Sequence, residues 1–417
     1  MATPYSIPLA LPVRRCKPEL VAPAKSTPHE QKLLSDIDDQ ESLRAQFPAI
    51  QFYRYEPSMK GKDIAEVIKE ALAQTLVFYY PFAGRLKEGA NGKLIVDCNG
   101  DGVMFIKADT DITLEQFGEP LQPPFPCFEE LLFDVPGSQA MLNCPLLIYL
   151  HLIYIKVTLL KCGGFIFALR FNHVMCVVSP SIPPVWERYL LNARDPPRVT
   201  FTHHEYDRVE ATVIMDNMVE CSFFFGPVEV SLLRSLLPLH LRHCTKFELI
   251  TACLLRCQTI AMNLDPEEQV RMLCIAHVRS KFNPPLPSGY YGNVLVSPTA
   301  ITTVKNLCHN PVGYAVELIK KAIANVTEEF IKSTADLFAI RGKSLYVPAV
   351  IGSYGISDLM HMGFENVYFG WGKAEFGGTA PKATGLVSFF IPTKNKATSW
   401  HFGANLFASI SHGKVFQ

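Results

Sequence analysis

Pro180, Pro183, Pro184, Pro196 and Pro197 crowd into one short stretch of the chain. Proline has no N–H to give to a helix or a strand ladder, and it pushes the residue before it toward extended backbone. Such a stretch favours extended, linker-like chain, and we place the domain junction there. We read residues 1–185 as an N-terminal domain, 186–210 as a crossover linker and 211–417 as a C-terminal domain. A length of 417 residues agrees, since domains usually hold about 150 residues.

Both parts have ample material for a core. Apolar residues make up 48% of the chain and charged residues 19%, below the roughly 25% usual for soluble proteins. Disorder is excluded on that ground, and a large apolar interior or cavity is expected. The 39 basic residues balance 39 acidic ones, which argues against nucleic acid or an anionic membrane as a partner, because both need clustered positive charge. Pro4, Pro8, Pro12 and Pro18 break up the N-terminus, which does not read as a signal peptide. The most apolar run, Pro145 to Ile155, stops at Lys156, short of the roughly 20 residues a membrane span needs. A cytoplasmic location follows as an expectation, with the 12 cysteines as reduced, buried thiols. Cys253 and Cys257 lie four apart, but no His or Cys pair is near enough in sequence to complete a metal site.

Periodicity outlines the elements. Asp63 can cap a helix with Ile64, Val67, Ile68, Ala71 and Leu72 on one face, ending before Pro81. Leu94 to Val96 and Val103 to Ile106 flank Asn99-Gly100-Asp101-Gly102, which predicts a β-hairpin. Two apolar runs flank Cys162-Gly163-Gly164, and the second, Phe165 to Phe171, leads to His173. Thr245 and Glu248 form a capping box ahead of Ile250, Cys253, Leu254 and Cys257. One long helix is expected after Pro311, through Val316, Ile319, Ile323, Val326 and Phe330. Strands and helices mixed in two halves read as an α/β fold.

Among the histidines, His203 and His204 follow the proline-rich linker and read as solvated, while His240 and His243 read as satisfying local backbone groups. His173 differs, because it ends an apolar strand. A histidine held there is rigid while one edge can meet a cavity, and a rigid titratable imidazole is what general-base catalysis requires.

Several stretches carry a further resemblance: Pro18-Glu19-Leu20-Val21, Leu34-Ser35-Asp36-Ile37-Asp38, Tyr80-Pro81-Phe82-Ala83-Gly84-Arg85-Leu86, Asn172-His173, Val185-Trp186-Glu187-Arg188, Arg194-Asp195-Pro196-Pro197, Gly289-Tyr290-Tyr291-Gly292-Asn293 and Phe369-Gly370-Trp371-Gly372. In this order they resemble the plant BAHD acyl-CoA-dependent acyltransferases, and within them the alcohol acyltransferases that make volatile esters. The resemblance implies a two-domain chloramphenicol acetyltransferase-like fold with mixed sheets and a channel between the domains. It implies acyl transfer from acyl-CoA, such as acetyl-CoA or benzoyl-CoA, to the hydroxyl of a small aliphatic or aromatic alcohol. His173 matches the histidine of the family's H-x-x-x-D motif, the general base. Acyl-CoA is a co-substrate, no resident cofactor or metal is implied, and a monomer is favoured. The CoA-contacting residues are not assigned from sequence.

The chain also departs from the family. Val177 stands where the motif has Asp, whose arginine partner by motif position is Arg279. Val177 to Ile182 leads straight to Pro183, leaving no room for the helix that follows the motif in the family. Extra residues interrupt the strand around Tyr149 to Ile155, Tyr368 replaces the aspartate of D-F-G-W-G, and the tail beyond Lys396 no longer resembles the family's last strand and helix. Thr398 to Gln417, with one lysine and no acidic residue, is poor material for a surface helix. Two readings remain open from sequence: a working alcohol acyltransferase, or an impaired or inactive family member (or faulty gene model) that keeps acyl-CoA or hydrophobic-ligand binding.

Overall fold

The computed structural model describes residues 12–411, except 45, 90–91, 133–149, 176–181, 208–217, 343–351, 380–386 and 396–397. Two mixed sheets and a smaller antiparallel one carry the helices. The first runs in the order Val13–Arg15, Val103–Thr110, Ile153–Leu159, Phe165–Asn172, Gln46–Tyr53 and Phe376–Gly378, and Glu19–Val21 pairs on Val103–Thr110. The second lies wholly in the later half: Met218–Phe225, Thr398–Ser411, Val387–Asn395, Ser353–Asp358, Gln269–His277 and Leu295–Val296, with Thr299–Thr303 beside Gln269–His277. A smaller sheet joins Glu30–Leu33, Leu94–Cys98, Arg85–Glu88 and Leu150–His151. The fold is α/β, and one strand of the first sheet, Phe376–Gly378, comes from the later half.

Local signals account for most elements. Asp63 accepts from Ala65 N and opens the helix Ile64–Phe78. The capping box of Thr245 and Glu248 opens Lys246–Met262, which buries Leu249, Ile250, Leu254 and Leu255. That helix packs with Val316, Ile319, Val270, Met272 and Tyr354 in the core of the later half. The two runs around Gly163 do pair as antiparallel neighbours, Phe165 opposite Leu159 through Phe171 opposite Ile153.

Two expectations fail. The proposed hairpin does not form: Leu94–Cys98 pairs with Glu30–Leu33 and Arg85–Glu88, while Val103–Thr110 joins the first sheet. Asn99 to Gly102 turns a corner between sheets instead. Gly102, at φ +98°, runs so close to Val21 that a Cβ would sit 2.4 Å from its carbonyl oxygen. Nor is there one long helix after Pro311. Val312–Ala324 stops, and Thr327 caps a second helix, Glu328–Arg341, by accepting from Phe330 N. A good cap with acidic residues in the first turn overrode an apolar period that continues straight through it.

The tail Thr398–Ser411 is a strand, antiparallel to both Met218–Phe225 and Val387–Asn395. Leu152 separates two short strands that belong to different sheets. The described cysteines are free, but only Cys98, Cys244 and Cys274 are fully buried; Cys16 and Cys162 are exposed. No described helix is long and apolar enough to cross a membrane. Val177, the segment after it and Tyr149 lie outside the described residues.

Candidate active site

The strand Phe165–Asn172 ends in a tight turn, His173–Met175, which Asn172 supports by accepting from Val174 N (3.3 Å). Phe47, on the neighbouring strand opposite Phe171, meets the His173 ring edge-on at 5.4 Å between centroids. His173 is half-buried, with its Nδ1 buried and without a hydrogen-bond partner. Burial lowers its pKa, against smaller upward pulls from its own backbone, the Asn293 side chain and the Asp38 carboxylate. The imidazole is therefore neutral at neutral pH, as a proton acceptor must be.

Three buried polar residues hold this turn from behind. Asp38 lies in the turn Ser35 to Asp39 and accepts from Ser35 N (3.2 Å) and Ser35 Oγ. Its Oδ1 accepts from Asn293 N (2.7 Å) and Asn293 Nδ2 (3.1 Å). Its Oδ2 faces Arg188 Nη1 at 3.1 Å, and both side chains are sealed from solvent. Arg188 Nη1 also donates to Val174 O (2.8 Å), and Asn293 Nδ2 donates to His173 O (2.8 Å). The Arg188 guanidinium lies over the Trp186 ring at 4.2 Å. A buried ion pair of this kind contributes less to net stability than to fixing one arrangement, because desolvation offsets much of the attraction.

Backbone geometry brings these residues together. Val185 donates to Gly289 O (2.9 Å), and Tyr291 N donates back to Val185 O (3.3 Å). Gly289 holds φ +84°, and a Cβ there would lie 2.2 Å from Pro183 O. The chain at Val185 thus runs beside Gly289 to Tyr291, and Arg188 and Asn293 converge on Asp38.

Of the sequence candidates, only His173 sits in this network. His203 is not solvated as expected: it is buried, with Nδ1 on Glu205 Oε1 (2.8 Å) and Nε2 on Ser333 Oγ (2.8 Å). The segment from Thr200 to His203 folds back onto the Glu328–Arg341 helix at Ser333. Ser333 is equally buried, so this histidine, carboxylate and serine form a staple with no path for a substrate. His204 and His240 are exposed, paired with Asp207 and Glu317. Arg279 lies over the Tyr290 ring at 5.4 Å and donates to His277 Nε2 (3.0 Å). In the Gly370-Trp371 segment Trp371 is buried against Phe165, while Tyr368 is exposed. Asp38, Arg188 and Asn293 were not singled out as site residues from sequence, although each stands in a stretch that carried the resemblance. Among the described residues no cluster of His, Cys, Asp and Glu could hold a metal. An apolar cavity of about 290 Å³ lies elsewhere in the later half, lined by Phe225, Phe247, Ile250, Met360 and Phe390, with Lys246, Asp358 and His361 among its walls.

The chain is similar to known proteins over nearly all of its length. The chain is 55% identical to benzyl alcohol O-benzoyltransferase of Petunia hybrida, over 95% of its own length and 90% of the relative's. It is 49% identical to alcohol acyl transferase 1 (allele GSa) of Malus domestica, over 94% of this chain and 90% of that one. Among solved structures, vinorine synthase superposes with a TM-score of 0.68 at 17% identity, covering 96% of this chain and 95% of that one. TRI101 of F. graminearum, solved with coenzyme A and deoxynivalenol, gives 0.67 at 13% identity, covering 92% of this chain and 95% of that one. The fold is thus the two-domain chloramphenicol acetyltransferase-like one. The model of the Transferase family matches residues 11–178 and 177–409, and the chain belongs to that family, the BAHD acyltransferases its motifs resemble.

Proposed function

We propose that this chain transfers an acyl group from acyl-CoA to the hydroxyl of a small aliphatic or aromatic alcohol, with His173 as general base. The observation that carries the reading is the neutral, rigidly seated imidazole at the end of Phe165–Asn172. An alcohol is a weak nucleophile until a positioned base takes its proton. The ring nitrogen accepts that proton as the alcohol oxygen attacks the thioester carbonyl. The tetrahedral intermediate then collapses, the C–S bond breaks, and the imidazolium returns the proton to the departing CoA thiolate. Ester and free CoA thiol are the products, and the histidine is restored. A thioester is activated enough for proximity and one base to carry the reaction. The relatives named for alcohol acyl transfer support the substrate class. Neither they nor the family model give support to an impaired chain.

The test is a thiol-release assay with purified protein, acetyl-CoA or benzoyl-CoA, and a panel of alcohols. We expect turnover that falls by at least about a hundredfold in His173→Ala. Its acid limb in kcat/KM should lie below the ordinary histidine value of about 6.5, since the base works only when neutral and burial lowers its pKa. Full activity in His173→Ala would refute the assignment.

A further inference from the structure

A general base is useful only if one nitrogen is kept free of its proton, and a neutral imidazole has two tautomers. Something must choose between them at His173. The choice is legible in Asn293. Its Nδ2 faces two acceptors, Asp38 Oδ1 at 3.1 Å and His173 O at 2.8 Å. Turning the carboxamide over would set its oxygen against a carboxylate and a carbonyl, so the nitrogen and oxygen positions are determined by chemistry. The backbone N of Asn293 is held on Asp38 as well, at 2.7 Å. Asn293 Oδ1 is therefore aimed away from Asp38, is buried, and has no donor. His173 Nδ1 is buried and has no partner either. Two unpaired buried polar atoms belong to residues already bonded to each other through the His173 carbonyl. The Asn293 side chain pulls the His173 pKa upward, as an acceptor beside a ring N–H does, after a larger pull from the histidine's own backbone, whose carbonyl is the competing acceptor but already takes the Asn293 Nδ2 hydrogen. The Tyr290 hydroxyl, another buried polar group without a partner, is the competing donor, but no pull between it and Asn293 accompanies it.

We infer that Asn293 is the positioning residue of His173: its nitrogen ties the His173 carbonyl to Asp38, and its oxygen accepts the Nδ1 hydrogen, leaving Nε2 as the nitrogen that takes the alcohol proton. This rests on the reading of His173 as base. Asn293 touches no reacting atom. It acts by fixing the tautomer and the ring's orientation, while Asp38 and Arg188 hold it and the turn in place.

Nitrogen-15 spectra of histidine-labelled protein report the tautomer directly, with the His173 signals assigned by their loss in His173→Ala. We expect Nδ1 protonated and Nε2 bare in the unmodified protein, and an Nε2-protonated ring would overturn the inference. Asn293→Ala should lower kcat by about tenfold to a hundredfold with KM for both substrates unchanged, and should lose the Nδ1–H tautomer. A folded Asn293→Ala with parental kcat would also overturn it. Should that variant not fold, the tautomer of the unmodified protein decides. An inactive His173→Ala with an Nε2-protonated parent removes the positioning role alone. An active His173→Ala removes the base, and the positioning role with it.

Discussion

Lys156 shows what a single residue costs this fold. It sits mid-strand in Ile153–Leu159 with no exposed surface, and its ammonium donates to the Glu130 carbonyl. Burial, aided by the nearby Arg15 charge and opposed by Glu130, pushes its pKa down to about 8. An unfolded lysine titrates near 10.4. Between about pH 8 and 10 the unfolded chain binds more protons than the folded one, so stability rises with pH across that window, and below it the full penalty is present. Lys156→Met should therefore gain about 1–2 kcal/mol over the parent at pH 7, shrinking as the pH approaches 10. Urea unfolding at both pH values checks this; an equal gain at each would show that charge burial is not the cause. The sequence reading placed His173 at the end of a strand, as the structure does, because the apolar run before it announces that end. It failed at His203, whose environment is made by Ser333, 130 positions away. Asp38 and Asn293 meet across 255 positions, and no local pattern marks either as the other's partner.

Helices were the most legible elements, because caps and periodicity are local. The misread corner at Asn99 to Gly102 carries every mark of a hairpin turn; only the pairing partners, which lie elsewhere in the chain, decide otherwise. That corner depends on a missing side chain. Gly102→Ala combines φ +98° with a Cβ 2.4 Å from Val21 O, a backbone atom that cannot swing aside. Gly61→Ala is the control, since Gly61 has φ +85° but no atom within 4 Å of the added carbon. We expect Gly61→Ala to cost about 1–2 kcal/mol from backbone strain alone, and Gly102→Ala to cost at least about 3 kcal/mol. Denaturant midpoints of the two variants give the comparison. Equal losses would mean that the close approach to Val21 adds nothing beyond strain.

At the scale of the molecule, the segment from Arg194 to Thr200 is clamped rather than loose. Asp336, buried on the Glu328–Arg341 helix, accepts from Arg194 N (2.7 Å), Arg194 Nε (2.7 Å) and Arg198 N (3.0 Å). Ser333 accepts from Thr200 N (2.9 Å), and Glu329 pairs with Arg194. Asp336→Ala should cost about 3–5 kcal/mol and open this segment to trypsin at Arg194 and Arg198, which limited proteolysis with mass spectrometry would detect. Resistance equal to the parent's would show that the remaining bonds suffice. The strand Phe376–Gly378 has a different bearing on the cell. It covers Gln46–Tyr53 at Ile50, Gln51 and Phe52, yet it leaves the ribosome long after that strand does. At about 5–20 residues per second, tens of seconds pass between the two. Through that interval the nascent sheet presents a bare edge, a template for pairing with other chains. The risk of aggregation is thus greatest during translation, and a pause between these two segments prolongs it.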